Sequence, residues 1–114
     1  MHNRIEIIGN VGKEPEMRFT PSGKPVTSFS VATTSYKTVE GERKQETEWF
    51  GVSTWEKQAE ACNQFVTKGM KVHVTGSVHL RKWEGGSVME IKNARVLFLD
   101  KREAKPEVEP EEVF

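Results

Sequence analysis

From Met70 to Trp83 the chain alternates apolar and polar residues: Met70, Val72, Val74, Gly76, Val78 and Leu80 on one parity, Lys71, His73, Thr75, Ser77, His79, Arg81 and Trp83 on the other. A period of two sustained this long is a β-strand with one buried face; a helix would repeat its apolar positions every three or four residues. Gly76, in mid-strand, predicts a sharp bend of the kind a small barrel needs at its corners. The same period recurs elsewhere. Residues 3–11 place Ile5, Ile7 and Val11 on one parity with Gly9 between them. A second strand is expected from about Pro25 to Tyr36 around Phe29 and Val31, and a third from about Thr47 to Trp55 around Phe50, Val52 and Thr54. A fifth covers residues 87–99, after the Gly85-Gly86 turn, and ends in Val96-Leu97-Phe98-Leu99. Pro15 and the Thr20-Pro21-Ser22-Gly23 cluster are turn chemistry. Residues 37–46, charged and centred on Gly41, are expected as the exposed loop of a long hairpin.

One helix interrupts this series. Over residues 56–68, Ala59, Cys62, Phe65 and Val66 form a single apolar stripe; Lys68 suits a last turn and Gly69 a left-handed stop. Five strands with a helix between the third and fourth is the element order of an all-β, five-stranded Greek-key barrel of the oligonucleotide-binding (OB) type. A chain of 114 residues has room for one such domain, residues 1–100. Residues 101–114 are mostly Lys, Arg, Glu and Pro with too little apolar surface to fold, and are expected as a short disordered acidic tail.

Several function classes drop out. No apolar run reaches the roughly 20 residues of a membrane span, and Met1-His2-Asn3-Arg4-Ile5-Glu6 lacks a signal-peptide core, so the chain is expected to be soluble and intracellular. The one cysteine, Cys62, can form no internal disulfide and has no partner at zinc-ligand spacing. On the helix stripe it reads as a small buried hydrophobe rather than a reactive thiol. His2, His73 and His79 form no nucleophile or metal arrangement, Asp100 is the single aspartate, and no glycine-rich phosphate loop joins a strand to a helix. No enzyme activity, cofactor or metal is expected. Charge balances only in total: residues 106–114 hold four acids and no base, which leaves +4 on residues 1–105. The acidic segment closes on the apolar pair Val113-Phe114, which suits a partner-binding peptide as well as a frayed terminus.

The outward parity carries the functional signal. Trp49, Gly51, Ser53 and Trp55 share the face opposite to Phe50, Val52 and Thr54, so two indoles about 20 Å apart flank two small residues. Trp83 lies on the polar parity with Arg81 and His79, beside Lys82; Tyr36 ends the second strand. Flat rings beside cations on several strands suit unpaired bases, which stack on the rings while Lys and Arg meet phosphates. Duplex DNA has its bases already stacked and needs an element in a groove. A protein–protein interface, where Trp and Arg are also enriched, remains open.

Glu14-Pro15-Glu16-Met17-Arg18-Phe19-Thr20-Pro21-Ser22-Gly23, Phe29-Ser30-Val31-Ala32-Thr33, Glu46-Thr47-Glu48-Trp49, Trp55-Glu56-Lys57-Gln58-Ala59-Glu60, Lys68-Gly69-Met70 and Arg81-Lys82-Trp83 follow in the order and spacing of the bacterial single-stranded DNA-binding protein (SSB) family. The resemblance covers residues 3–99. It implies an OB-fold homo-oligomer, usually a homotetramer, that binds and wraps single-stranded DNA in replication, recombination and repair, in the cytoplasm on the nucleoid. It implies Tyr36, Trp49, Trp55 and Trp83 as stacking rings and Arg4, Arg18, Lys57, Lys68, Arg81 and Lys82 as phosphate contacts. Family members usually carry a Gly/Pro/Gln-rich linker and an acidic tip finishing Asp-Ile/Leu-Pro-Phe that recruits replication and repair proteins. Here Glu111, Glu112, Val113 and Phe114 stand in that place, with Glu for Asp and no proline. A non-enzymatic OB module of primosomal or RNA-binding type is the alternative.

Overall fold

The structure, a computed structural model, describes residues 2–100; the tail expected at residues 101–114, with Glu111, Glu112, Val113 and Phe114, lies outside them. The described elements are β1 (Ile5–Val11), β2 (Glu16–Phe19), β3 (Pro25–Val39), β4 (Glu42–Trp55), α1 (Glu56–Phe65), β5 (Lys71–Trp83) and β6 (Gly86–Phe98). Hydrogen bonding runs β1-β5-β6-β4-β3, and β1 returns to β3 through Asn10↔Ala32 and Val11↔Val31. Five strands therefore close on themselves. The pairs are antiparallel except β4 with β6. This is the five-stranded Greek-key barrel of the OB type, and α1 joins its third and fourth strands.

Inward parities fill the barrel with Ile7, Val11, Phe29, Val31, Phe50, Val52, Val72, Val74, Ile91 and Val96. The helix packs on β3, β4 and β6 and buries Ala59 and Cys62. Two buried threonines seat it: the Thr27 hydroxyl donates to the Ala59 carbonyl at 2.6 Å, and the Thr54 hydroxyl to the Thr27 carbonyl at 3.0 Å. Cys62 is fully buried; burial pushes its thiol up to about 11, against a hydrogen bond with Thr54 that lowers it. It is the small hydrophobe that the stripe implied.

Gly76 marks a bulge where the β5–β6 register shifts between Thr75 and Ser77. A Cβ there would stand 2.7 Å from Ile91 Cγ2 and 2.8 Å from the Lys92 carbonyl oxygen, so the backbones approach too closely for any side chain. The expected bend is present.

Three local expectations change. The Glu16–Phe19 segment, for which the sequence suggests no strand, is a strand, β2, paired to β3 from Glu16↔Ser28 to Phe19↔Pro25 outside the closed barrel. Four residues are too few to display a period, and the turn at Thr20–Gly23, closed by Gly23 N–H to the Thr20 carbonyl at 2.8 Å, folds them back. Residues 37–46 are not a loop: β3 and β4 stay paired to Val39↔Glu42 around a two-residue turn with positive φ at Glu40 and Gly41 (52° and 79°), as tight hairpins require. Neither face of this arm is buried, so no apolar alternation announces it; backbone ladders and the Lys37–Glu46 pair at 3.0 Å hold it. The helix stops at Phe65, three residues short of 68, because Val66 turns extended (φ −78°, ψ 132°) and is drawn fully into the core. Lys68 and Gly69 then form a turn in which the Gly69 N–H donates to the Val11 carbonyl at 2.7 Å.

Candidate nucleic-acid interface

Residues opposite one another in a sheet share a face, so the register assembles the outer surface. Trp49, Gly51, Ser53 and Trp55 of β4 stand opposite Ala32, Ser30, Ser28 and Val26 of β3. Gly51 also pairs with Glu90 of β6. Across the next ladder, Glu90, Val88 and Gly86 face His79, Arg81 and Trp83 of β5 partners in their respective register, with Trp83 at Gly86. One face thus runs over β3, β4, β6 and β5, with indoles at both ends of one barrel-strand segment and at the end of another. Tyr36 continues the Ala32 parity into the hairpin arm.

All four predicted rings are outside the barrel, between 40% and 55% exposed. Three have a fixed seat. A Cβ on Gly12 would lie 2.4 Å from Trp49 Cζ3 and 2.8 Å from Cη2, so the indole rests on bare backbone at the end of β1. Trp83 lies against Gly86, where a Cβ would be 3.1 Å from Cζ2, and the Arg81 guanidinium sits 5.0 Å from its ring centroid. The Arg43 guanidinium stands 4.2 Å from the Tyr36 centroid; such pairs contribute about 0.5–1 kcal/mol at exposed sites. Trp55 is the residue before α1 and makes no side-chain cap there. Its ring lines a hollow with Arg18, Phe19, Thr20 and Val26.

Between Trp49 and Trp55 the floor is small and hydroxylated: Ser28, Ser30, Gly51 and Ser53, bordered by Lys13, Glu14, Glu16 and Glu90. Glu90 accepts from Arg81 Nε at 2.7 Å. That bond leaves both terminal nitrogens of the guanidinium fork for another acceptor.

The predicted cations are all exposed but not all on the ring face. Arg81 is beside Trp83 and Arg18 beside Trp55. Lys57 is two residues past Trp55, at the start of α1. Arg4 precedes β1 next to the bulge, where Ile5 pairs with Gly76. Lys68 lies in the turn after α1, its N–H donating to Glu14 at 3.0 Å, at the rim rather than on the floor. Lys82 pairs with Ser87, on the opposite side of its hairpin from Trp83. Sequence reasoning missed Arg43 and Phe19. Arg43 meets Tyr36 only once residues 37–46 are paired strands, and Phe19 becomes an exposed edge residue only once β2 exists.

Among the described residues no group of three or more His, Cys, Asp or Glu is placed to hold a metal ion, and no helix is long and apolar enough to cross a membrane.

Against known proteins, the profile of the single-strand binding protein family matches residues 2–99. Single-stranded DNA-binding protein 1 of Chlorobaculum tepidum is 34% identical over 93 residues, 81% of this chain and 57% of that protein. The single-stranded DNA-binding protein of Rickettsia conorii is 37% identical over 112 residues, 88% of this chain and 74% of the relative. The chain thus spans little more than half the length of the first of these. Among solved structures, a Plasmodium falciparum SSB complex with ssDNA superposes with a TM-score of 0.77 at 30% identity, covering 88% of this chain and 96% of that one.

Proposed function

The chain belongs to the single-strand binding protein family, and from that premise we propose that it binds single-stranded DNA without sequence preference, as a non-enzymatic protector of exposed strands in replication, recombination and repair. The observation that carries the reading is the set of half-exposed rings Tyr36, Trp49, Trp55 and Trp83 on one outer face. Bases stack on them, each stack contributing roughly 1–3 kcal/mol whatever the base. Arg4, Arg18, Lys57 and Arg81 meet the phosphates, Lys68 does so at the rim and Lys82 from the other side of the β5–β6 hairpin, and Arg81, tied through Nε to Glu90, offers its terminal nitrogens as a preset fork.

The working unit is a homo-oligomer, a tetramer, in the cytoplasm. Support comes from the outer parity of β1, β5 and β6: Ile8, His73 and Leu97 form one cross-strand row, with Ile8, Leu97 and Leu99 exposed. Exposed aliphatic side chains grouped in this way suit burial against a second copy. Residues 106–114, with Glu111, Glu112, Val113 and Phe114, are proposed to contact replication and repair proteins, on their charge and apolar pair alone.

Titration of tryptophan fluorescence with poly(dT), duplex DNA and RNA tests the binding reading, with native mass measured on the same protein. Strong quenching by poly(dT) and little by duplex is expected. Equal quenching by duplex sinks the reading, and preference for RNA transfers the face to the RNA-binding class. Trp49→Ala and Trp83→Ala should weaken binding with the mass unchanged.

A further inference from the structure

Phe19 is the most exposed large apolar side chain among the described residues, at 64%, and the fold gives no reason for a ring there. It ends β2, which pairs with β3 alone at the far end of the strand order from β1. β2 shares no ladder with β1, β5 or β6, the strands that carry Ile8, His73 and Leu97. Phe19 itself pairs with Pro25, on the alternate parity to the row in which its neighbour Arg18 stands opposite Val26 and Val26 opposite Trp55; what joins it to that row is a shared hollow at the strand's end. One cross-strand row therefore leads from Trp55 over Val26 to Arg18, and two strand spacings make its backbone span about 10 Å. Phe19, Thr20, Arg18, Val26 and Trp55 together line one hollow.

We propose that Phe19 is a fifth stacking ring, and that this hollow receives the nucleotide that follows the one on Trp55, with Arg18 on its phosphate. The proposal rests on the single-strand reading above and extends the path from β4 across β3 onto β2. A nucleobase fits the hollow better than a protein side chain because the hollow already holds a ring, Trp55, and a cation, Arg18. Lys24 also lies at this end, its ammonium 3.9 Å from Glu56, and Lys57 adds a further positive charge. Phe19 is not a member of the barrel core and is mostly exposed, so its truncation leaves the fold in place.

The test measures binding of a long dT oligomer and of duplex by the full chain and by Phe19→Ala, Phe19→Leu and Phe19→Trp, together with native mass and urea midpoint. Phe19→Ala and Phe19→Leu should each weaken dT binding at least about fivefold, the smallest loss that one base–ring stack allows, and Phe19→Trp should keep the unmodified affinity. Mass and midpoint should stay unchanged in all three. A smaller loss, a Phe19→Leu protein that binds like the unmodified one, or a change in mass overturns the proposal, the last by placing Phe19 in a protein contact. Failure of the unmodified protein to prefer dT over duplex is a separate result, since it removes the underlying reading and not Phe19 alone.

Discussion

Gly12→Ala offers a way to disturb stacking without removing a ring. The added methyl would sit 2.4 Å from Trp49 Cζ3 and 2.8 Å from Cη2, whereas carbon atoms rest at about 3.5–4.0 Å. The indole must therefore lift by roughly 1 Å or rotate off its seat. Gly12 does not have a positive φ, and the ring it displaces is half in solvent, so the fold can absorb the change: stability should move by less than about 1 kcal/mol. Binding should suffer more. The most that can be lost is the whole Trp49 stack, about 1–3 kcal/mol, and a displaced but intact ring should lose part of that. Fluorescence titration with a dT oligomer, paired with a urea melt, separates the two effects. In a Trp49→Ala background the same glycine change should do less, because the one other side chain it crowds on this face is the Ser30 hydroxyl, 2.9 Å from the added methyl. Unchanged affinity in Gly12→Ala, or an equal loss in both backgrounds, would refute the seating argument.

Other outcomes follow from charge and burial. The logarithm of the binding constant should fall with the logarithm of salt at a slope no steeper than about −4, since six cations each contribute about 0.7 on single strands; a flat dependence contradicts their phosphate roles. Cys62 has its thiol raised from 9.0 to about 11 by burial. The folded state thus favours the protonated form, and this contribution to stability is complete below about pH 9 and lost as pH rises toward 11. Urea melts between pH 8 and pH 11 should show that decline, and rapid modification of the native thiol at pH 8 would contradict it. Deleting residues 106–114 removes four acids and no base, so DNA affinity should stay equal or rise. A marked drop in a titration would mean that the segment supports the fold.

The barrel was legible because its inward residues alternate against water: Val72 and Val74, Phe29 and Val31, Phe50 and Val52 report burial through the period itself. Where both faces are wet, that signal vanishes. The arm from Thr34 to Val39 and Glu42 to Glu48 is exposed throughout, so its strands were invisible and with them the Arg43–Tyr36 contact. The helix end failed for a different reason, since a stripe that includes Val66 cannot say whether that valine is buried by helix or by extended chain. The rings were legible as exceptions, large aromatics on the polar parity. Their seats were not, because Gly12 lies in another segment and only the barrel's closure brings it under Trp49. Lys82 shows the limit of adjacency: next to Trp83 in sequence, it faces the other way across a pleat.

The proposed tolerance of base identity also has a structural source in what the face withholds. Reading a base requires fixed donors and acceptors aimed at its edge. Between Trp49 and Trp55 the floor supplies Gly51 and the hydroxyls of Ser28, Ser30 and Ser53, each of which can rotate to donate or accept. The one carboxylate paired with the centre of β4, Glu90, is occupied by Arg81. What remains rigid are π faces and cations, and every nucleotide presents a π face and a phosphate to match them. The small residues keep the floor low, so a base of either size can lie between two indoles about 20 Å apart without meeting a wall. A bulky side chain at Gly51 would raise that floor beneath the strand while leaving both rings and every cation in place, and so would convert a permissive surface into a selective or weaker one.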